Sequence, residues 1–422
     1  MNYSRFGEKF TAESGIMQLM HDLGHAVTGD NNIIMLGGGN PSHIPAVQNR
    51  LRVRMEEILA NGNEFERLIG DYDPPGGHPA FIEAIVDLLR QTFDWDITSK
   101  NVVLTNGSQT AFFYLFNLLA GEYPDGTHKR IMLPLAPEYI GYVDAGIHED
   151  IFVAGKPQFE YLDEHTFKYR VDFESLQIDE TISAICVSRP TNPTGNVLTD
   201  GEIEKLRYQS RKHGIPLIID NAYGAPFPGI IFNDVTPVWD ENIVLCLSLS
   251  KLGLPGLRTG IIIAREEIAS AMASMNAIVS LAPVSAGAGL LLDLVKSGEI
   301  IEISQNMIKP YYRERAEMAV EWVWESLAGT PFYVHKPEGA FFFWLWFKDL
   351  PITSAELYTR LKQRGVLIIP GHYFFPGMKE PWDHKTECIR MNYTPDEEKV
   401  REGIQIIGEE VKRAYAENRK RP

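Results

Sequence analysis

From about residue 100 onward, short apolar runs alternate with amphipathic stretches: VVLT, then GSQTAFFYLFNLLAGE, then IMLPL, later AICVS, a helical stretch over 201–213, and PLIID. Strand-sized runs separated by helix-sized ones predict a largely parallel sheet covered by helices. Thr199 and Glu202 have the spacing of a capping box, which starts the helix ahead of PLIID. Two more strands follow, NIVLCLSLS and RTGIIIAR, with a Gly-Pro loop between them. Past residue 285 the pattern changes to long helices over 300–327, paired aromatic strands, a helix from Ser354, and the strands VLIIP and CIRMNY. This predicts a smaller α+β domain. The last helix is marked by Thr394 as cap, Pro395 in the first turn and Glu397 as box partner, with Val400, Ile404, Ile407 and Val411 on one face. The expected organisation is an N-terminal segment 1–47 joining the small domain or a subunit neighbour, a large domain 48–290 and a small domain 291–422.

Composition narrows the class. At 422 residues and 44% hydrophobic content, the chain exceeds one ordinary core and suits a two-domain globular protein. Its 56 acidic against 40 basic residues leave a formal charge of -16, which repels phosphate backbones and argues against a nucleic-acid partner. The start is polar, and no apolar run approaches the ~20 residues of a membrane helix, so no secretion signal and no membrane span are expected. Cys186, Cys246 and Cys388 stand far apart in apolar surroundings, as reduced core thiols of a cytoplasmic protein do.

Ligands of such sheets bind where the strands end, and the polar residues closing the apolar runs are the chemical candidates. Residues 248–260 read SLSKLGLPGLRTG, with Lys251 between serines and a turn, Arg258 seven residues on, and Asp220 upstream in IIDNAYG. A lysine amine condenses with an aldehyde only when neutral, so it needs a partly dry, cationic pocket. Serine hydroxyls and a guanidinium are ligands for a phosphate dianion, and Asp220 can hold a pyridinium proton. A surface lysine after a buried strand is the plain alternative. TNGSQTAF puts Gly107, Ser108 and Gln109 at a strand-to-helix turn, either an ordinary cap or a phosphate site. The glycines 37–39 lack the last glycine of a dinucleotide loop and read as a tight turn. RPTNPTGN is a turn whose Asn192 faces the crevice, and PEYIGY offers Tyr139 and Tyr142 as rings that stack on a flat cofactor or lie half-buried. Arg390 in the apolar strand CIRMNY must meet an anion, either an internal carboxylate or that of a substrate. HDLGH at 21–25 has zinc-ligand spacing, but Asp22 stands where a zincin has Glu and no third ligand is evident, so no metal is expected.

Taken in order, GGGNP, the turn at 72–76, NGSQ, PEYIGY, RPTNPTG, IIDNAYG, SLSK with Arg258, and Arg390 carry a resemblance. Over nearly its full length the chain resembles the fold-type I pyridoxal phosphate enzymes of the aminotransferase class I and II family. The resemblance implies an α/β large domain with a mostly parallel seven-stranded sheet, beside the smaller α+β domain. It implies that Lys251 binds the cofactor aldehyde and then serves as general base, that Asp220 pairs with the pyridine nitrogen, and that Asn192 and Tyr223 bond the phenolic oxygen. Tyr139 would stack on the ring. Gly107, Ser108, Gln109, Ser248 and Arg258 would hold the phosphate, with Tyr72 reaching it from the second subunit of a homodimer. The family usually has one more residue between lysine and arginine, and Ser250 is a compensating ligand. Arg390, Gly39 and Asn192 would take the substrate carboxylate. The implied reaction is ping-pong transfer between amino acids and 2-oxo acids. The aromatic density at 341–347 and 373–375 favours valine, alanine or 2-aminobutyrate as substrates. The alternatives are a different side-chain preference (alanine, aromatic or 2-aminoadipate) and a β-lyase on the same scaffold. A DNA-binding regulator carrying this domain is not expected, since the motifs begin near residue 37 and the charge is acidic.

Overall fold

In the computed structural model, which describes residues 1–12, 14, 15, 17, 20, 24 and 33–418, the apolar runs after residue 100 assemble into one sheet. Its spatial order is Val102–Thr105, Gly260–Ile263, Ile243–Ser248, Leu217–Asp220, Ile182–Ser188, His128–Leu133, with Phe152–Ala154 and the two-residue Gly121–Glu122 both pairing with the last. The central strands are buried almost throughout, as continuous apolar runs covered on both faces require. One detail differs from expectation. The sheet has eight strands rather than seven, because Gly121–Glu122 adds a short antiparallel edge. Gly260–Ile263 runs antiparallel to both neighbours, since the short loop after Lys251 turns the chain straight back and leaves no room for a crossover.

Register places the polar strand ends side by side. Ser188 pairs with Asp220, Asp220 with Cys246, and Ser248 with Gly260, which in turn faces Thr105. One edge of the sheet therefore carries Thr105, Ser188, Asp220 and Ser248 together.

A second, six-stranded sheet runs Ile369–Pro370, Cys388–Asn392, Phe342–Phe347, Phe332–His335, Thr166–Arg170, Gln158–Tyr161. Its last two strands form a hairpin from within the 48–290 stretch. Ile34–Met35 pairs in parallel with Val366–Leu367, so the N-terminal segment is stitched to the C-terminal part, while Lys9 bonds the carbonyl of His148 and pairs with Glu149.

Thr199 and Glu202 form the reciprocal capping box that opens Asp200–His213. The last helix begins at Glu397, so Thr394 and Pro395 lie ahead of it instead of at its cap and first turn. Thr394 instead bonds Asn392 Oδ1 through both its N–H and its hydroxyl, at 3.3 Å. Val400, Ile404, Ile407 and Val411 are all buried, as their spacing predicts. The three cysteines are free and buried. Among the described residues no helix is long and apolar enough to cross a membrane.

Candidate active site

Lys251 occupies the short turn Ser250–Leu252 directly after the strand Ile243–Ser248. Its Nζ donates to the carbonyl of Gly39 at 2.7 Å and lies 5.3 Å and 5.5 Å from the ring centroids of Tyr223 and Phe341. Burial, followed by the charges of Arg390 and Arg258, lowers its pKa to about 7, with Asp220 opposing. A large share of the amine is therefore neutral near pH 7, the form that attacks a carbonyl.

Asp220 closes its strand and receives the Tyr142 hydroxyl on Oδ2 at 2.7 Å and the Ala222 N–H on Oδ1 at 3.0 Å. Burial raises its pKa; the two hydrogen bonds and the charge of Lys251 pull it back. Tyr142 is thus a carboxylate anchor and not a stacking ring. Tyr139, half-buried and edge-on to Tyr142 at 5.4 Å, stays available to stack. Gln109 Nε2 donates to the carbonyl of Gly141 at 2.9 Å, tying the Ser108–Leu119 helix to the Tyr139 turn.

Gly107 caps that helix at φ +86° with no side chain over its first N–H groups. A Cβ built on it would lie 2.2 Å from Nη2 of Arg258, and one on Gly260 would lie 2.6 Å from Thr105 Oγ1 and 2.8 Å from the Ser108 nitrogen. Arg258 itself adopts φ +47° and, among the described residues, has no carboxylate within salt-bridge distance. A helix N-terminus, a guanidinium that donates to the Pro255 carbonyl at 3.4 Å, and Ser248 in register with Gly260 thus stand around a cradle kept open by glycines. That donor set suits a phosphate dianion.

Arg390 is 1% exposed, between the rings of Phe342 and Phe374 at 4.3 Å and 5.3 Å. It donates to Asn192 Oδ1 at 2.8 Å and to the Gly37 carbonyl at 2.5 Å, yet its Nε has no partner. Among the described residues no acid pairs with it, which removes the internal salt bridge as an explanation. Burial lowers its pKa to about 10, so it remains cationic at neutral pH. Gly39, Asn192, Tyr223, Lys251 and Arg390 all meet here. Of the aromatic cluster, Phe341 and Phe342 flank the two cations, whereas Phe343 packs on Tyr393 and Trp346 on Tyr333.

Tyr72 stands 84% exposed, outside this group. The HDLGH ligands His21, Asp22 and His25 lie outside the described residues, among which no metal-binding cluster occurs. Sequence reasoning missed Glu138, buried one residue before Tyr139 and bonded to Ser188. A carboxylate inside an otherwise apolar turn was the available signal.

A dry lysine, an anchored aspartate and a glycine-lined anion cradle at the edge of such a sheet define a pyridoxal phosphate enzyme, and the residues present fit that cofactor. The family model for aminotransferase class I and II matches residues 31–407, and the chain belongs to that family. It is 52% identical over 418 residues to valine–pyruvate aminotransferase of Escherichia coli (strain K12), covering 99% of this chain and 100% of the relative. A crystal structure of valine-pyruvate aminotransferase from Salmonella typhimurium LT2 matches with 50% identity, 95% and 100% coverage and a TM-score of 0.88. The crystal structure of an amino-acid aminotransferase from Psychrobacter arcticum 273-4 matches with 47% identity, 99% coverage of both chains and a TM-score of 0.96. The protein is a pyridoxal phosphate-dependent aminotransferase.

Proposed function

We propose that the enzyme moves amino groups between small apolar L-amino acids and 2-oxo acids, with alanine, 2-oxoisovalerate, pyruvate and valine as its principal reactants. The observation that carries this reading is the buried guanidinium of Arg390, which among the described residues meets no acid and is held on the same glycine loop that receives Lys251. A carboxylate placed there meets Arg390 and Asn192 and brings its Cα toward the lysine amine. The valine preference is supported by the 52% identity to the Escherichia coli enzyme.

When bound, pyridoxal phosphate supplies an aldehyde for amine exchange and a protonated ring that accepts electron density from Cα. Gly107, Ser108, Gln109, Ser248, Ser250 and Arg258 hold its phosphate, Tyr139 covers its ring, and Asn192 and Tyr223 serve its phenolic oxygen. Asp220, which accepts from Tyr142 and Ala222, would hold the ring proton. Lys251 Nζ, neutral for much of the time at pH 7, takes the Cα proton of the amino acid.

The same reading makes the molecule a cytoplasmic homodimer. Tyr72 and Ile278, 84% and 87% exposed, sit on segments joined by the bond from Asn276 to the Pro75 carbonyl, and Val279 and Leu281 extend the apolar surface. Adding valine, alanine, 2-aminobutyrate, glutamate and aspartate in turn to the purified holoenzyme, while following cofactor absorbance, tests specificity. Faster conversion by glutamate or aspartate than by valine and alanine overturns it. Ammonia release from a single amino acid would indicate a lyase.

A further inference from the structure

Glu138 is 1% exposed, with the Ser188 N–H on Oε1 at 2.9 Å and the Ser188 hydroxyl bonded to Oε2 at 2.5 Å. Among the described residues no lysine, arginine or histidine forms an ion pair with it. Ser188 pairs in register with Asp220, and the Arg189 N–H donates to the Asp220 carbonyl at 2.8 Å. Two carboxyl groups therefore stand near one another: Asp220 closes its strand, and Glu138, in the turn after His128–Leu133, bonds the last residue of the neighbouring strand.

Their surroundings push them apart. Asp220 has the Tyr142 hydroxyl, the Ala222 N–H and the nearby Lys251 charge. The ionisable groups facing Glu138 are Asp220 from Leu217–Asp220, Tyr142 from the turn after Tyr139 and Cys186 from Ile182–Ser188, each negative when ionised. A buried carboxyl with an anionic neighbour and no cation keeps its proton. The Ser188 hydroxyl donates to Oε2, a bond that favours the carboxylate and is outweighed by burial; on ionisation the Glu138 proton leaves to solvent.

We propose that Glu138 works as a neutral carboxylic acid, a positioning residue that acts through Ser188 on Asp220, and that its ionisation slows removal of the substrate Cα proton. The inference rests on the reading of Asp220 as partner of the ring nitrogen. A second negative charge behind that nitrogen opposes the flow of electron density from Cα into the ring. Burial, opposed by the Ser188 bonds and reinforced by Asp220, raises the pKa of Glu138 to about 8, so the switch falls just above neutrality.

Infrared difference spectra of the holoenzyme against Glu138→Gln, across pH, test the protonation state directly. A neutral-carboxyl carbonyl band belonging to Glu138 is expected at pH 7 and should fade above about pH 8. In the half-reaction with alanine, the rate relative to E138Q should fall about three- to tenfold over the same range. Ser188→Ala, which removes only a hydroxyl that favours the ionised form, should move both midpoints upward, and it keeps the test open if E138Q does not fold. Absence of the band at pH 7, an unmoved midpoint in S188A, or an equal fall in E138Q overturns the proposal. Asp220→Asn, measured alongside, separates the two readings: an unslowed half-reaction there refutes the role of Asp220, whereas the infrared result stands independently.

Discussion

Gly107 and Arg258 occupy space that only a glycine permits: a Cβ on Gly107 would fall 2.2 Å from Arg258 Nη2, at a backbone φ of +86°. Gly107→Ala is expected to displace the guanidinium and weaken pyridoxal phosphate binding. Arg258→Ala should cost about 1.5–3 kcal/mol, roughly 10- to 150-fold in affinity, as for a lost charge-assisted hydrogen bond. If Gly107 acts by making room, the double variant should bind no worse than R258A. Additive losses in a cofactor titration would show that the two residues act separately.

Lys251 makes the apoenzyme's stability pH-dependent. Its pKa is about 7 when folded against an ordinary 10.5, so between these values the unfolded chain binds more protons and stability rises with pH. Below about pH 7 the folded lysine is protonated too and the rise ends. Urea midpoints of the apoenzyme should therefore increase from pH 7 to pH 9 more in the wild type than in Lys251→Met. Equal slopes would mean that the amine is not desolvated. The same variant should support no half-reaction.

Much of this site is legible before folding because strand ends announce themselves locally. Asp220, Ser248 and Thr105 are the first polar residues after apolar runs, and glycine and proline mark the loops around Gly107, Asn192 and Lys251. Partners across the fold are not local. That the Tyr142 hydroxyl reaches Asp220, 78 positions away, follows from strand order, which no short window encodes. The hairpin 158–170 joins the second sheet through a parallel pairing with Phe332–His335, more than 150 residues later, and its own residues carry no sign of that choice. Arg390 lay between the two kinds, since its strand demanded an anion but only the structure removes the internal candidates.

Replacing Arg390 by lysine keeps the charge and loses the planar fork, including the unpartnered Nε. Loss of a buried charge contact of this kind costs about 2–5 kcal/mol in kcat/KM for alanine and pyruvate. Cofactor affinity should change far less. An R390K enzyme with near-normal KM values but weakened cofactor binding would contradict the assignment of this guanidinium to the substrate.

Tyr142→Phe removes one of the bonds that hold Asp220 ionised. The carboxyl pKa, already raised by burial, should rise further, and the acid limb of kcat should move to higher pH. A bond to a charged group contributes about 1.5–3 kcal/mol, so the limb should move up by about one to two pH units. A merely structural role for the ring would lower stability while leaving the limb in place.

The Asn192 turn is fastened from behind by a buried ion pair. Lys168 and Glu338, each 3% exposed at the side chain, bond to one another. The lysine also donates to the Val197 carbonyl at 2.9 Å, and the carboxylate accepts the Val197 N–H at 3.1 Å. Both main-chain groups of Val197 thus hang on the pair, and the Glu338 N–H reaches back to the Gly195 carbonyl at 3.3 Å. Glu338→Ala strands a buried ammonium, which costs about 3–5 kcal/mol of stability. Removing both charges as Lys168→Met/Glu338→Leu should recover part of that loss, because no unpaired ion remains although both Val197 main-chain groups lose their partners. Stability alone does not report on Asn192, however. If the pair sets the turn, the double variant should fold well yet show raised KM for amino and oxo acids, since Asn192 holds Nη1 of Arg390. A stable double variant with wild-type KM values would show that the turn finds its place without the pair.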